Sequence, residues 1–145
     1  MIVVDTNVWS EATKPSPDPA VRAWSAVNDK HLYLATVVIA ELRAGCTVLA
    51  VGRKRFALEA QIESIVARFA DRILPFDEPA ARHYAMILER SKRSGCAIMT
   101  ADAMIAATAL SSGMRLATRD EGDFAAAGVE LTNPWQHSLP TPPGR

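Results

Sequence analysis

Cysteine is scarce in this chain: Cys46 and Cys96 are the only two among 145 residues. One falls in an expected helix and the other in an expected loop, so no disulfide framework is predicted and stability must come from apolar burial. Histidine is scarce too, and His31, His83 and His137 have no spacing that makes a zinc site. No apolar stretch approaches the roughly 20 residues needed to span a bilayer, and no basic region precedes the first strand-like run, which together predict a cytoplasmic protein. Neither sign of charge is in excess. Sixteen basic and sixteen acidic residues cancel, so any attraction for nucleic acid must come from local patches. Repeats and low-complexity tracts are absent. The one shift in composition is the proline-rich end, residues 137–145, which reads as a disordered tail.

About half the residues are apolar, enough for one cored domain over residues 1–136 and too few for two. The apolar run Ile2, Val3, Val4 reads as a buried strand. A short helix follows from Thr6 and stops at Pro15, Pro17 and Pro19, because proline disfavours helix in the residue before it. Helix resumes over 20–27, a second strand covers 32–35, and Thr36 is suited to cap a helix over 37–50. Leu58, Ile62, Ile65, Val66 and Phe69 recur at helical spacing over 55–70. A short extended piece at 73–76 precedes a helix capped by Asp77 and ending near Gly95. Thr100 reads as the cap of an apolar helix, followed by a turn at Gly113, a strand over 115–119, a helical turn around Phe124 and a last strand over 129–132. Strands alternating with helices predict an α/β domain: a central parallel sheet flanked by helices on both faces.

In that arrangement Asp5 and Asp120 each follow a strand, while Asp102 and Glu41 lie on helices that begin at the same edge of the sheet. Open α/β sheets bind ligands at the carboxyl ends of their strands. Two carboxylates about 4 Å apart repel by roughly 4 kcal/mol at an effective dielectric near 20, so four acids gathered there call for a cation. An oxygen-only set without His or Cys suits Mg²⁺ or Mn²⁺.

These residues resemble the PIN-domain nucleases, and among them the FitB-like branch of the VapC-type toxins. The resemblance rests on Val4-Asp5-Thr6-Asn7-Val8 with Ser10-Glu11, on Ala40-Glu41-Leu42-Arg43 with Gly45, on the run from Ala101-Asp102 to Ala109, on Ala117-Thr118-Arg119-Asp120 with Asp123-Phe124, and on Asn133-Pro134-Trp135. No one of these motifs is specific; their order along nearly the whole chain is. Ala35 and Val38 depart from the pattern, standing where relatives often carry Ser or Thr. The resemblance implies a PIN-like fold and a Mg²⁺- or Mn²⁺-dependent endoribonuclease that hydrolyses RNA with a metal-activated water. Asp5 and Asp102 are then the principal metal ligands, and Glu41 and Asp120 complete the catalytic set. It further implies a type II toxin, a homodimer, and a cognate VapB- or FitA-like antitoxin through which the complex binds operator DNA.

Asn7, Thr118 and Asp123 are candidates for supporting the acids, each with a structural alternative as cap, strand or turn residue. Arg53, Lys54 and Arg55, and Arg90, Lys92 and Arg93, are candidate RNA contacts, with solvated helix ends as the alternative. Arg119 reads as solvated surface, with a phosphate contact as the alternative, and Trp9, Trp24 and Trp135 as core, with base stacking as the alternative. The helices over 37–50 and 55–70 are the expected walls of an antitoxin groove. Two other functions compete. A dehalogenase-type phosphohydrolase requires a second Asp where Asn7 stands, and a non-catalytic RNA- or partner-binding module of the same fold does not require all four acids.

Overall fold

In the computed structural model, which describes residues 1–138, the first strand β1 (Ile2–Val4) is buried along its whole length and occupies the centre of a five-stranded sheet. The expected tail falls outside the described residues except for its first two positions. The other strands are β2 (Leu32–Ala35), β3 (Ile73–Leu74), β4 (Arg115–Ala117) and β5 (Leu131–Thr132), in the order β3-β2-β1-β4-β5. All pairings are parallel, with Ile2 opposite Leu32 on one side and Arg115 on the other. The last two strands are shorter than their apolar runs suggest.

Among the described residues the helices are α1 (Thr6–Ala12), α2 (Pro19–Asn28), α3 (Thr36–Thr47), α4 (Arg53–Arg68), α5 (Glu78–Ser94) and α6 (Thr100–Ser111). The chain steps from β1 to β2 to β3 in one direction and then crosses to β4 on the far side of β1. With right-handed crossovers, α1 to α4 therefore cover one face of the sheet and α5 and α6 the other. This is the α/β architecture expected, and the reversal between β1 and β4 is the point where such sheets open a crevice. Val3, Leu34 and Leu116 are fully buried at the centre, each contributing roughly 1.5–3 kcal/mol. Trp9 packs edge-on to Phe69, ring centroids 4.9 Å apart, and joins α1 to the end of α4, its indole N–H buried without a hydrogen-bond partner.

Two expected caps are displaced. Ala35 and Met99, not Thr36 and Thr100, hold the N-cap positions of α3 and α6, and neither cap makes a side-chain hydrogen bond. Each threonine is instead the first helical residue, and Thr36 Oγ1 accepts the Phe76 N–H at 3.2 Å, joining α3 to the segment after β3. The Asp77 cap and the left-handed Gly95 stop of α5 are as read, with Asp77 accepting from the Ala80 N–H at 3.0 Å.

Gly128, just before β5, adopts φ +70°, and an added Cβ there lies 1.9 Å from Arg90 Nη1, which donates to the Ala127 carbonyl at 2.6 Å. Replacement by Ala must adopt a left-handed conformation, costing roughly 1–2 kcal/mol, and must displace the guanidinium. Gly128→Ala is expected to lower the unfolding free energy obtained from urea titration by at least that amount, with Arg90→Ala producing a smaller loss.

Candidate active site

Asp5 stands where β1 becomes α1, held in place by the sheet itself: its N–H donates to the Ala117 carbonyl at 2.9 Å, as another rung between β1 and β4. Its side chain caps α1, Oδ1 accepting from the Thr6 N–H at 2.7 Å, while Oδ2 accepts from the Thr118 hydroxyl at 2.8 Å. Only 5% of its surface is exposed. Burial is the main force raising its pKa to about 6, opposed by the bonds from Thr118 and Thr6 and reinforced by Glu41 and Asp120.

The other acids reach the same crevice from separate elements. Glu41 comes from the second turn of α3, Asp102 from the first turn of α6, Asp120 from the segment after β4, and Asp123 from the 3-10 turn Glu121–Phe124. All five acids line one cleft of about 430 Å³. Asp102 is also pushed up to about 6, by burial first and then by repulsion from Asp5, Glu41, Asp123 and Asp120. Its place in the first turn of α6 favours the charged form, and the crowd of carboxylates outweighs that help.

Thr118 and Asn7 fasten the acids together. The fully buried Thr118 hydroxyl, besides donating to Asp5, accepts from Asn7 Nδ2 at 3.2 Å and from the Asp120 N–H at 3.1 Å. Asn7 Nδ2 also donates to Asp120 Oδ2 at 3.1 Å, and its Oδ1 accepts the Arg119 N–H at 3.4 Å. Asn7 is thus a bridge from α1 to the loop after β4, and caps nothing.

Thr6 escaped the sequence reading. Its hydroxyl donates to Glu41 Oε2 at 2.5 Å, so polar support for this acid comes from α1 and not from positions 35 and 38 beside it. A contact across 35 residues leaves no local signal. Glu11 was also missed: it is buried, accepts from Lys14 Nζ at 2.5 Å and from the Asp18 N–H at 2.9 Å, and so pins the proline loop. The Lys14 bond, then the Asp18 bond, hold its pKa below the usual carboxylate range against burial.

Lys14 and Arg119 are the two cations in the cleft lining. Arg53, Lys54, Arg55, Arg90, Lys92 and Arg93 lie outside it: Arg55 pairs with Glu59, Arg93 with Glu89, and Arg90 with the Ala127 carbonyl. Arg119 is not simple solvated surface. Because β4 ends at Ala117, strand alternation does not govern position 119, and its guanidinium lies 5.3 Å from the centre of the Trp135 ring. Trp135 is half-buried at the cleft wall, whereas Trp9 and Trp24 are core. Between α3 and α4 the expected groove is a pocket of about 330 Å³ beside the Arg43–Glu63 ion pair; a larger cleft of about 570 Å³ opens by Trp9, Val21 and Phe69.

Among the described residues, no three His, Cys, Asp or Glu side chains form a group that could hold a metal ion as they stand. Asp5 and Glu41 turn oxygens toward Thr118, Thr6 and the backbone. The donor chemistry still fits a hard divalent cation. The cleft offers carboxylate oxygen without thiolate or imidazole, and a cation between Asp5 and Asp102 offsets the burial, and with it the repulsion, that raise both.

A parallel sheet that gathers acids in a cleft at its switch point is an α/β domain with a ligand-binding edge, and the family model described as the PIN domain matches residues 2–130: the chain belongs to the PIN-domain family. PIN nucleases are typically metal-dependent. Within the family it falls in the FitB-like, VapC-type branch. It is 46% identical over 137 residues to toxin FitB of Neisseria gonorrhoeae, covering 93% of this chain and 99% of that protein. VapC ribonuclease Y4jK of Sinorhizobium fredii is 44% identical over 138 residues, covering 94% and 99%. The solved structure of FitAB bound to a DNA fragment aligns with a TM-score of 0.85 at 44% identity, covering 96% of this chain and 99% of that one.

Two outcomes test this geometry. Thr118→Val removes the hydroxyl shared by Asp5, Asn7 and Asp120 while keeping its shape, and is expected to weaken Mn²⁺ binding by roughly 10- to 100-fold in titration, with Thr118→Ser close to wild type. The second concerns pH. Because the fold raises the Asp102 pKa from 3.8 to about 6, its contribution to stability is fully present below pH 3.8 and is lost as pH rises through 6. Metal-free Asp102→Asn is therefore expected to melt roughly 2–4 °C above wild type at pH 7.5, with the gap closing near pH 4, in scanning calorimetry.

Proposed function

We propose that this chain is the toxin of a type II toxin–antitoxin pair: a cytoplasmic endoribonuclease that hydrolyses RNA phosphodiesters, requires Mg²⁺ or Mn²⁺, and is held inactive by a cognate VapB- or FitA-like antitoxin. The observation that carries the reading is the meeting of Asp5, Glu41, Asp102 and Asp120, from four separate segments, in one cleft at the sheet's switch point. Relatives named as a toxin and as a VapC ribonuclease cover nearly their full lengths with it. A purely binding module has no use for so costly a gathering of like charge.

In this reading Asp5 and Asp102 hold the ion, with Glu41 and Asp120 completing its surroundings. When bound, the ion supplies Lewis acidity, neutralising phosphoryl charge and acidifying water. The chain's own residues position the acids. Thr118 and the Thr6 N–H fix Asp5, the Thr6 hydroxyl fixes Glu41, and Asn7 holds Asp120. Lys14 and Arg119 at the rim draw the phosphodiester toward an otherwise negative cleft.

Partners follow from two surfaces. The acids attract a basic side chain of the antitoxin, which inhibits by occupying the place of the ion, and the assembled complex binds operator DNA, as FitAB binds a DNA fragment. Beside Glu41 lies an apolar face formed by Val37, Ala40, Ala44, Phe76 and Met104, suited to pairing with a second copy in a homodimer. No helix among the described residues is long and apolar enough to cross a membrane.

The test is cleavage of labelled single-stranded and structured RNAs by purified protein with Mg²⁺, Mn²⁺ or chelator. Metal-dependent cleavage is expected, falling about 10³-fold or more in Asp5→Asn as several kcal/mol of transition-state stabilisation disappear. Cleavage that persists in chelator or in Asp5→Asn would sink the reading.

A further inference from the structure

Arg119 and Trp135 are not explained by holding the acids. Both line the acidic cleft, and they touch each other, guanidinium over indole at 5.3 Å. The cleft's other cation, Lys14, is already paired with Glu11 at 2.5 Å, whereas Arg119 makes no ion pair among the described residues. Arg119 is exposed, with its guanidinium over the Trp135 ring and close enough to Glu11 to help lower that acid's pKa.

The pair is held in register by one residue. Asn133 Nδ2 donates to the Arg119 carbonyl at 3.4 Å, and Asn133 Oδ1 accepts the Trp135 N–H at 3.1 Å, capping the turn Pro134–Gln136. On its other side the Arg119 N–H donates to Asn7 Oδ1, the same Asn7 whose amide holds Asp120. The aromatic wall and the acidic floor are therefore tied through Asn7, residue 119 and Asn133. Arginine planes and indole rings are the surfaces on which proteins stack unpaired bases. The volume, about 430 Å³, is within the size range of small-ligand clefts.

We propose that Arg119 and Trp135 form a stacking platform for an unpaired nucleobase of the RNA substrate next to the scissile phosphate, with Asn133 as its positioning residue. The proposal rests on the nuclease reading above and requires the base to be unpaired, since a base inside a duplex cannot reach the platform.

The test compares wild type with Arg119→Gln, Trp135→Leu and Trp135→Phe in steady-state cleavage of a short single-stranded RNA with Mn²⁺. Binding of the same RNA is measured by anisotropy in an Asp102→Asn background, where turnover is removed. Expected are KM and dissociation constants raised roughly 5- to 100-fold in Arg119→Gln and Trp135→Leu, kcat within about threefold of wild type, and Trp135→Phe close to wild type. Unchanged KM and binding in both variants, with wild type still cleaving, overturns the platform and leaves the nuclease reading intact. If wild type cleaves no RNA, the nuclease reading fails, and the platform stands only if RNA binds and the two variants lose that binding. Should Trp135→Leu not fold, Arg119→Lys decides, since it keeps the charge and removes the planar group: a raised KM supports the platform and a wild-type KM overturns it.

Discussion

The site is governed by the burial of carboxylates, reinforced by like-charge repulsion, at a place where the backbone leaves the acids no retreat. Asp5 cannot move outward, because its N–H is a rung of the sheet and its side chain caps α1. Its burial is not offset by its two good donors and is the larger source of tension; Glu41 and Asp120, facing the same cleft, add to it. The fold thus concentrates negative potential at the switch point between β1 and β4, where sheet geometry opens a crevice. A cation relieves this tension, and so does a basic side chain. Catalysis and inhibition in the proposed function therefore draw on one electrostatic feature.

A small set of neutral groups makes this crowding endurable. Thr118, Asn7 and Thr6 come from two segments far apart in sequence and meet around Asp5, donating to three of the acids. Their bonds oppose the rise in the Asp5 pKa without abolishing it. Fixed donors of this kind hold ligands ready without neutralising them, which is what an ion-binding edge needs. The same chain of bonds continues from Asn7 through residue 119 to Asn133 and Trp135, so the geometry of the aromatic wall depends on the polar core of the site.

Much of this was legible in the residues. The run Ile2-Val3-Val4 ending in Asp5, the Asp77 cap with Pro79, and the glycines at 95 and 113 carry local signals that tertiary packing did not override. The ordered acidic motifs pointed to one family, and the family match and the near-full-length relatives agree. Reading Thr36 and Thr100 as caps failed because a cap is a matter of backbone angles, and each helix begins one residue earlier than a hydroxyl suggests. Arg119 is exposed as read, but its place in the cleft over Trp135 was not legible, because β4 stops at Ala117 and strand alternation says nothing of position 119.

By itself the sequence determined the alternation of strands and helices, the place of each acid at a strand end or helix start, and the oxygen-only character of the donor set. These are local properties, set by apolar periodicity, proline and glycine, and residue type. Only the tertiary structure decided which neutral side chains support the acids, which cations share their cleft, and that Trp135 stands at its wall. Those relations join residues 35 to 113 positions apart, as Thr6 with Glu41 and Asn7 with Asp120, and no periodicity links such positions until the sheet brings them within hydrogen-bonding distance.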